Sequence, residues 1–268
     1  MKRLDVLMAE RNLVESREQA RRLIMAGAVL VGGMVAAKPS QEAAEDAVIE
    51  LIRESPYVSR GGFKLEKALA EFALNLEGLT CADIGASTGG FTDCMLQRGA
   101  AQVYAVDVGY GQLHYKLRND ERVVVMERTN ARYLTPETFA APPSFASIDV
   151  AFISLKLILP ALFPCLAPGA PIVALVKPQF ETEPKHVRKG VVRDEAIHRQ
   201  VLDRILHWLA DQPVAVRGLS FSPITGPKGN IEFLLYLSNG VGPSLPVDTA
   251  AVVAAAHESV RHNPLSEA

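Results

Sequence analysis

Two lysines and two acids lie far apart in the chain, three of the four where strands are expected to begin or end. Lys64 lies in S-R-G-G-F-K-L-E-K-A, ahead of the first expected strand of a sheet. Asp149 sits near the end of a strand in S-I-D-V-A-F-I-S-L. Lys177 closes the run A-L-V-K-P-Q-F-E, where proline stops the strand and leaves the lysine at its rim. Glu232 begins an apolar strand in G-P-K-G-N-I-E-F, and a lone carboxylate there needs a partner. Amines and carboxylates gathered at one rim can hold a hydroxyl and take its proton. A lysine serves as that base only if its pKa, about 10.4 when free, falls toward neutrality. A second cation, partial burial and hydrogen bonding bring this about, while acids hold the amines in place. Each residue alone also suits a plainer role. Lys64 could be a helix-surface lysine, Asp149 a cap, Lys177 a rim ion pair and Glu232 a partner for a neighbouring strand.

A second group suits a nucleoside. The segment A-D-I-G-A-S-T-G-G-F, residues 82–91, follows an expected strand and opens a helix. Gly85, Gly89 and Gly90 permit close backbone approach and positive φ. Asp83, at the strand end, can meet an ammonium or orient the loop. The next strand ends in Asp107, and a carboxylate at that tip can accept hydrogen bonds from two ribose hydroxyls. Asn130, in E-R-T-N, ends the third-strand region and can bond the amino edge of a base. Neither G-x-G-x-x-G nor a loop ending in G-K-[ST] is present. Spacing alone therefore leaves a dinucleotide loop or a tight turn open.

These residues need a scaffold that brings them together. Short apolar runs predict strands at 81–84, 103–106, 123–126, 146–152, 172–176, 214–221 and 231–237. Helices are expected at 63–72, 90–98, 113–117, 155–165 and 194–209. Such alternation predicts an α/β, largely parallel sheet covered on both faces, with ligands beyond the carboxyl ends of its strands. Residues 1–54 read as a separate small α+β unit. It has helices near 3–11 and 17–26, the second capped by Ser16, then a hairpin at Gly32-Gly33 and a closing strand at 48–52. Residues 55–60 read as a linker and 61–241 as the main domain. Residues 242–268 form a tail whose helix Asp248 can cap.

The 268 residues are 49% hydrophobic and 22% charged, with a formal charge of −2. That excludes a polybasic, histone-like binder but not a local basic patch. Residues 1–40 hold seven Lys/Arg and four Asp/Glu, a local excess of three. Arg17 and Arg21 share a helix face, with Arg22, Lys2 and Arg3 nearby, and could hold phosphates or simply be solvated. Arg60 and the basic segment 181–199, Lys189 within it, admit the same two readings. Cys81, Cys94 and Cys165 are isolated, so neither a disulfide framework nor a cysteine zinc site is suggested, and no metal is expected. A reducing cytoplasm is the simplest setting. The start has no secretory pattern, and the apolar run 151–176 contains Lys156 and four prolines, which suits a buried sheet better than a membrane.

Several motifs also carry a resemblance. The pattern R-L-D-x-x-L, then S-R-E-Q-A-R-R-L-I-x-x-G-x-V-x-V-x-G, resembles the RNA-binding domain named after ribosomal small-subunit protein four. That implies RNA contacts by Arg3, Arg17, Arg21 and Arg22, joined by Arg60 and Lys189. D-I-G-A-S-T-G-G-F-T resembles the first motif of S-adenosylmethionine-dependent methyltransferases. It implies a cofactor site of Asp83, Gly85, Ser87, Gly89, Gly90, Phe91, Asp107, Asn130 and Asp149. The order Lys64, Asp149, Lys177, Glu232 resembles the tetrad of the heat-shock-induced rRNA 2′-O-methyltransferase superfamily. Together the motifs resemble the hemolysin A (TlyA-like) family over nearly all of residues 1–240. The resemblance implies a seven-stranded, Rossmann-like class I methyltransferase sheet and methylation of cytidine ribose in ribosomal RNA, within ribosomal subunits. It makes Lys177 the base, Asp149 and Lys64 the groups that position the hydroxyl, and Glu232 the group that steadies the lysines. Two rival readings are a membrane-lytic hemolysin and a non-catalytic RNA-binding assembly factor. Oligomeric state is not legible in the sequence.

Overall fold

The computed structural model describes residues 1–51 and 56–262. The last four residues of the expected first unit or its linker, 52–55, and the chain end lie outside the described residues.

The N-terminal unit holds strand β1 (Lys2–Arg3), helices α1 (Leu4–Glu10) and α2 (Arg17–Met25), and strands β2 (Val29–Val31), β3 (Met34–Val35), β4 (Glu42–Ala43) and β5 (Ile49–Leu51). The Ser16 hydroxyl accepts from the Gln19 amide at 3.1 Å and caps α2 as expected. Gly32 and Gly33, with φ of 59° and 81°, turn β2 into β3. β2 also pairs antiparallel with β5, and Leu4, Met8, Ile24 and Val29 are fully buried between helices and sheet.

The main domain follows in the order α3 (Gly61–Glu71), β6 (Thr80–Ile84), α4 (Gly90–Gln97), β7 (Gln102–Val106), α5 (Tyr115–Arg118), β8 (Val123–Met126) and β9 (Phe145–Ile148). Then come α6 (Leu159–Leu162), β10 (Pro171–Val176), α7 (Pro178–Glu181), α8 (Glu195–Leu209), β11 (Val214–Phe221), β12 (Phe233–Asn239) and α9 (Thr249–His262). The seven strands of its sheet lie in the order β11-β12-β10-β9-β6-β7-β8. β12 runs antiparallel to both its neighbours, and the other pairs are parallel. One face packs against α3 and α4, the other against α6, α8 and α9. The chain moves outward from β6 to β8 and returns to β9 on the other side of β6. That reversal opens a crevice at the carboxyl ends of β6 and β9.

Four departures from the expected elements have local causes. β9 stops at Ile148 because residues 149–153 leave the sheet at this crevice, with Phe152 at a φ of 63°. The expected helix 155–165 is broken into a 3₁₀ turn, α6 and another 3₁₀ turn, since Pro160 and Pro164 lack amide donors. β12 starts at Phe233, so Glu232 precedes it. In the expected linker, Tyr57 is buried edge-on against Phe63, and the Val58 amide donates to Asp93 at 2.8 Å. These residues pack with the main domain. In the tail, Asp248 accepts from the Ala251 amide at 3.0 Å, and Val253 and Ala256 of α9 join the core. The three cysteines are buried and unbridged.

Candidate active site

Each of the four chemical residues is delivered by a different element to one end of the sheet. Lys64 comes from the first turn of α3, Asp149 follows β9, Lys177 follows β10 and Glu232 precedes β12. Because β12 is reversed, its beginning lies where its neighbours β10 and β11 end. The Lys64 Nζ donates to Glu232 Oε2 at 2.6 Å and lies 3.7 Å from Asp149 Oδ2. The Lys177 Nζ lies 2.5 Å from Asp149 Oδ1. Asp149 thus bridges two ammoniums, while Glu232 serves Lys64. The side chain of Glu232 is fully buried, and its Oε1 accepts no hydrogen bond from any described residue.

The carboxylates and ammoniums of this set fix one another's charge. Burial alone would lower the pKa of Lys64, but the Asp149 and Glu232 carboxylates outweigh it and hold the ammonium above its ordinary value. Lys64 is therefore a fixed cation rather than a lysine pushed toward neutrality. Burial would likewise raise Asp149, yet Lys64 and Lys177 hold its carboxylate below the usual range.

These residues line one wall of a cleft of about 730 Å³. The glycine loop after β6 forms another. Gly85 and Gly89 have φ of 88° and 97°, and a Cβ at Gly85 would sit 2.5 Å from the Asp149 carbonyl oxygen. Ser87, Gly90 and Phe91 face the same space. The Asp107 carboxylate accepts from the Ser87 amide at 2.8 Å and the Gly109 amide at 2.6 Å, which fixes it at the cleft edge. Asn130 lines the cleft too, its Oδ1 accepting from the Arg132 amide at 3.1 Å.

Asp83 is not part of this cleft. It is fully buried, accepts from the Thr92 hydroxyl at 2.6 Å and the Ser147 hydroxyl at 3.0 Å, and ties β6 to α4 and β9. Burial pushes its carboxyl up to about 6. It shapes the loop from below and does not reach a ligand.

The expected RNA contacts divide. Arg3 and Arg17 both bind the buried Asp5, at 3.0 and 2.9 Å, so half of the proposed N-terminal patch is engaged within the protein. Arg21 and Arg22 are exposed. Arg60 lines the cleft and donates to the Ala37 carbonyl of the N-terminal unit at 2.6 Å. Lys189 lies on an exposed turn outside the cleft. Among the described residues no group of three or more His, Cys, Asp or Glu is placed to hold a metal.

One cleft residue escaped the sequence reading. Phe152 is 90% exposed, holds a positive φ and lies with its ring centroid 5.0 Å from that of Phe180. A large apolar side chain in solvent at a strained rim position marks a contact surface. The available signal was an aromatic three residues after Asp149 in a run that reads as strand.

The main domain and the N-terminal unit each match a family model. Residues 57–239 match the FtsJ-like methyltransferase model, and residues 2–49 match the S4 domain. The chain belongs to the FtsJ-like methyltransferase family. It is similar to YqxC of Bacillus subtilis, designated an rRNA methyltransferase, at 53% identity over 97% of this chain and 95% of that one. It is 42% identical to the 16S/23S rRNA (cytidine-2′-O)-methyltransferase TlyA of Mycobacterium tuberculosis, over 98% of both chains. A solved structure from Streptococcus thermophilus, designated a hemolysin, superposes with a TM-score of 0.78 at 50% identity and covers 98% of both chains. This chain thus has an FtsJ-like methyltransferase core preceded by an S4 domain, as the motifs implied.

Proposed function

We propose that this chain transfers a methyl group from S-adenosylmethionine to the ribose 2′-hydroxyl of a cytidine in ribosomal RNA. One observation carries this reading: Lys64, Asp149, Lys177 and Glu232 form a continuous ion-paired set beside a glycine-walled cleft. The RNA class and the cytidine come from what TlyA and YqxC are named for.

The cleft suits the cofactor. Gly85 leaves no room for a side chain of its own, Asp107 offers a carboxylate for ribose hydroxyls, and Asn130 lies where a base edge would reach it. Asp149 supplies negative charge beside the space for a sulfonium. When bound, the cofactor supplies an electrophilic methyl group.

The protein's part is to hold and deprotonate the hydroxyl. Lys64, fixed as an ammonium, donates to the hydroxyl oxygen and keeps it in line for displacement. Lys177, with one carboxylate partner where Lys64 has two, is the group that accepts the proton, at Nζ. The hydroxyl oxygen gives up its proton to Lys177 as it takes the methyl group, which a bound cofactor would supply while leaving as its neutral thioether. Glu232 holds Lys64 and keeps Oε1 as an acceptor facing inward. Phe152 offers its ring to a base lifted from the RNA stack.

The test is transfer of a tritiated methyl group to unmodified ribosomal subunits. Wild-type protein should label ribosomal RNA, and Lys177→Ala should cut the rate at least about 100-fold. A protein that binds the cofactor yet labels no ribosomal RNA would overturn the reading and favour the assembly-factor alternative. As for the lytic alternative, no helix among the described residues is long and apolar enough to cross a membrane.

A further inference from the structure

Two lysine-glycine turns meet beside the cleft, and the chemistry above uses neither. Arg188 and Val191 exchange backbone hydrogen bonds of 2.9 and 3.0 Å, which closes a two-residue turn at Lys189 and Gly190. Both residues have positive φ, 53° and 84°. Lys228 and Gly229 repeat the arrangement at 62° and 83°. Lysine is strained in this region, where glycine or asparagine is at ease. Both turns nevertheless hold an exposed lysine there. The two turns touch: the Lys228 Nζ is 3.1 Å from the point a Cβ on Gly190 would occupy. Neither lysine has a carboxylate within ion-pair distance among the described residues.

One side chain joins the turns. Asn230 is 3% exposed. Its Nδ2 donates to the Gly190 carbonyl at 2.9 Å, and its Oδ1 accepts from the Val192 amide at 3.2 Å. Its own carbonyl accepts from the Gly226 amide at 2.8 Å. The side-chain amide meets one turn with both a donor and an acceptor. From behind, the His198 Nε2 lies 3.1 Å from the Val192 carbonyl oxygen, so the first turn is held on two sides. Gly226 lines the cleft, and Glu232 follows Asn230 by two residues.

We propose that the paired turns form a phosphodiester-binding clamp at the mouth of the cleft, with Asn230 as the residue that positions it. Two exposed lysines on turns that touch, neither with a carboxylate partner among the described residues, call for an anion. The backbone of a nucleic acid entering the cleft supplies one. Phosphate contacts of this kind fix register and carry no sequence information, which leaves base recognition to the cleft. The inference rests on RNA being the substrate and adds where its backbone is gripped.

The test uses the full chain with Lys189→Gln and Lys228→Gln combined. Binding of a labelled ribosomal RNA stem-loop is followed by fluorescence anisotropy across salt concentrations, and methyl transfer is followed on ribosomal subunits. The double variant should raise Kd and KM for RNA about tenfold and make the salt dependence shallower by about 1.5 in log–log slope. Affinity for S-adenosylmethionine, measured by calorimetry, should not move. Asn230→Ala should raise KM for RNA similarly and add nothing when placed on the double variant. An unchanged salt slope in the double variant, while wild type binds RNA, would overturn the clamp and leave the proposed reaction standing. Additive losses, with cofactor affinity falling too, would reduce Asn230 to a structural role. A wild-type protein that bound no RNA at any salt would remove both proposals.

Discussion

Lys64 and Glu232 are 168 positions apart in the chain and 2.6 Å apart in space, both nearly sealed from solvent. A buried pair of this kind is costly to break and inexpensive to replace whole. Glu232→Ala should therefore destabilise the protein by about 3 kcal/mol, read from the urea midpoint. Lys64→Met combined with Glu232→Leu should recover stability to within about 1 kcal/mol of wild type while methyl transfer stays undetectable. Recovered activity in that double variant would show the pair to be architectural only.

Gly85 admits no side chain. Its φ of 88° disfavours one, and a Cβ would press on the Asp149 carbonyl at 2.5 Å. Gly85→Ala must push residue 149 away and spoil both cofactor wall and tetrad. The expected result is at least a tenfold loss of cofactor affinity by calorimetry, with a stability loss of about 2 kcal/mol.

Phe152 pulls stability and activity in opposite directions. An L-residue in the left-handed region carries about 1 kcal/mol of strain, which glycine relieves. Phe152→Gly should keep or raise the melting temperature while methylation of ribosomal subunits falls at least about tenfold. A variant with full activity would remove Phe152 from substrate contact.

The buried histidine at α8 predicts an acid sensitivity. His198 is fully buried, its Nδ1 2.8 Å from His257 Nε2, and burial followed by the repulsion of His257 pushes its pKa down to about 4. Asp194 and Glu195 oppose that shift, and Arg261 lies on the far side against His257. The unfolded chain protonates this histidine near 6.5, before the folded protein does. Stability is thus intact above about 6.5 and falls as pH drops toward 4, by on the order of 3 kcal/mol from this group. The melting temperature of His198→Gln should fall less steeply over that interval than that of wild type.

Much of the site was legible because its residues sit where strands meet loops. Proline after Lys177, glycines after Ile84 and an acid inside an apolar strand all break a local pattern, and each break proved to face the cleft. Asp83 shows where such reasoning stops. Side chains alternate along a strand, and a strand-end acid two residues before the glycine turn points into the layer of α4 instead of the crevice. Arg3 and Arg17 show a second limit. A basic helix face reads as free charge until the fold reveals a buried Asp5 beneath it. The left-handed backbone at Phe152 leaves no mark in composition, since it arises where residues 149–153 leave the sheet after β9.

The reversed strand β12 has a consequence for the order of biogenesis. Three of the four reacting groups are already synthesised when Lys177 has emerged, yet Lys64 still lacks the acid that holds it most closely. That acid arrives just ahead of β12, which must slide between β10 and β11 to seat it. On the proposed chemistry a nascent or truncated polypeptide is an inert one, and competence to react becomes a certificate that the sheet has closed.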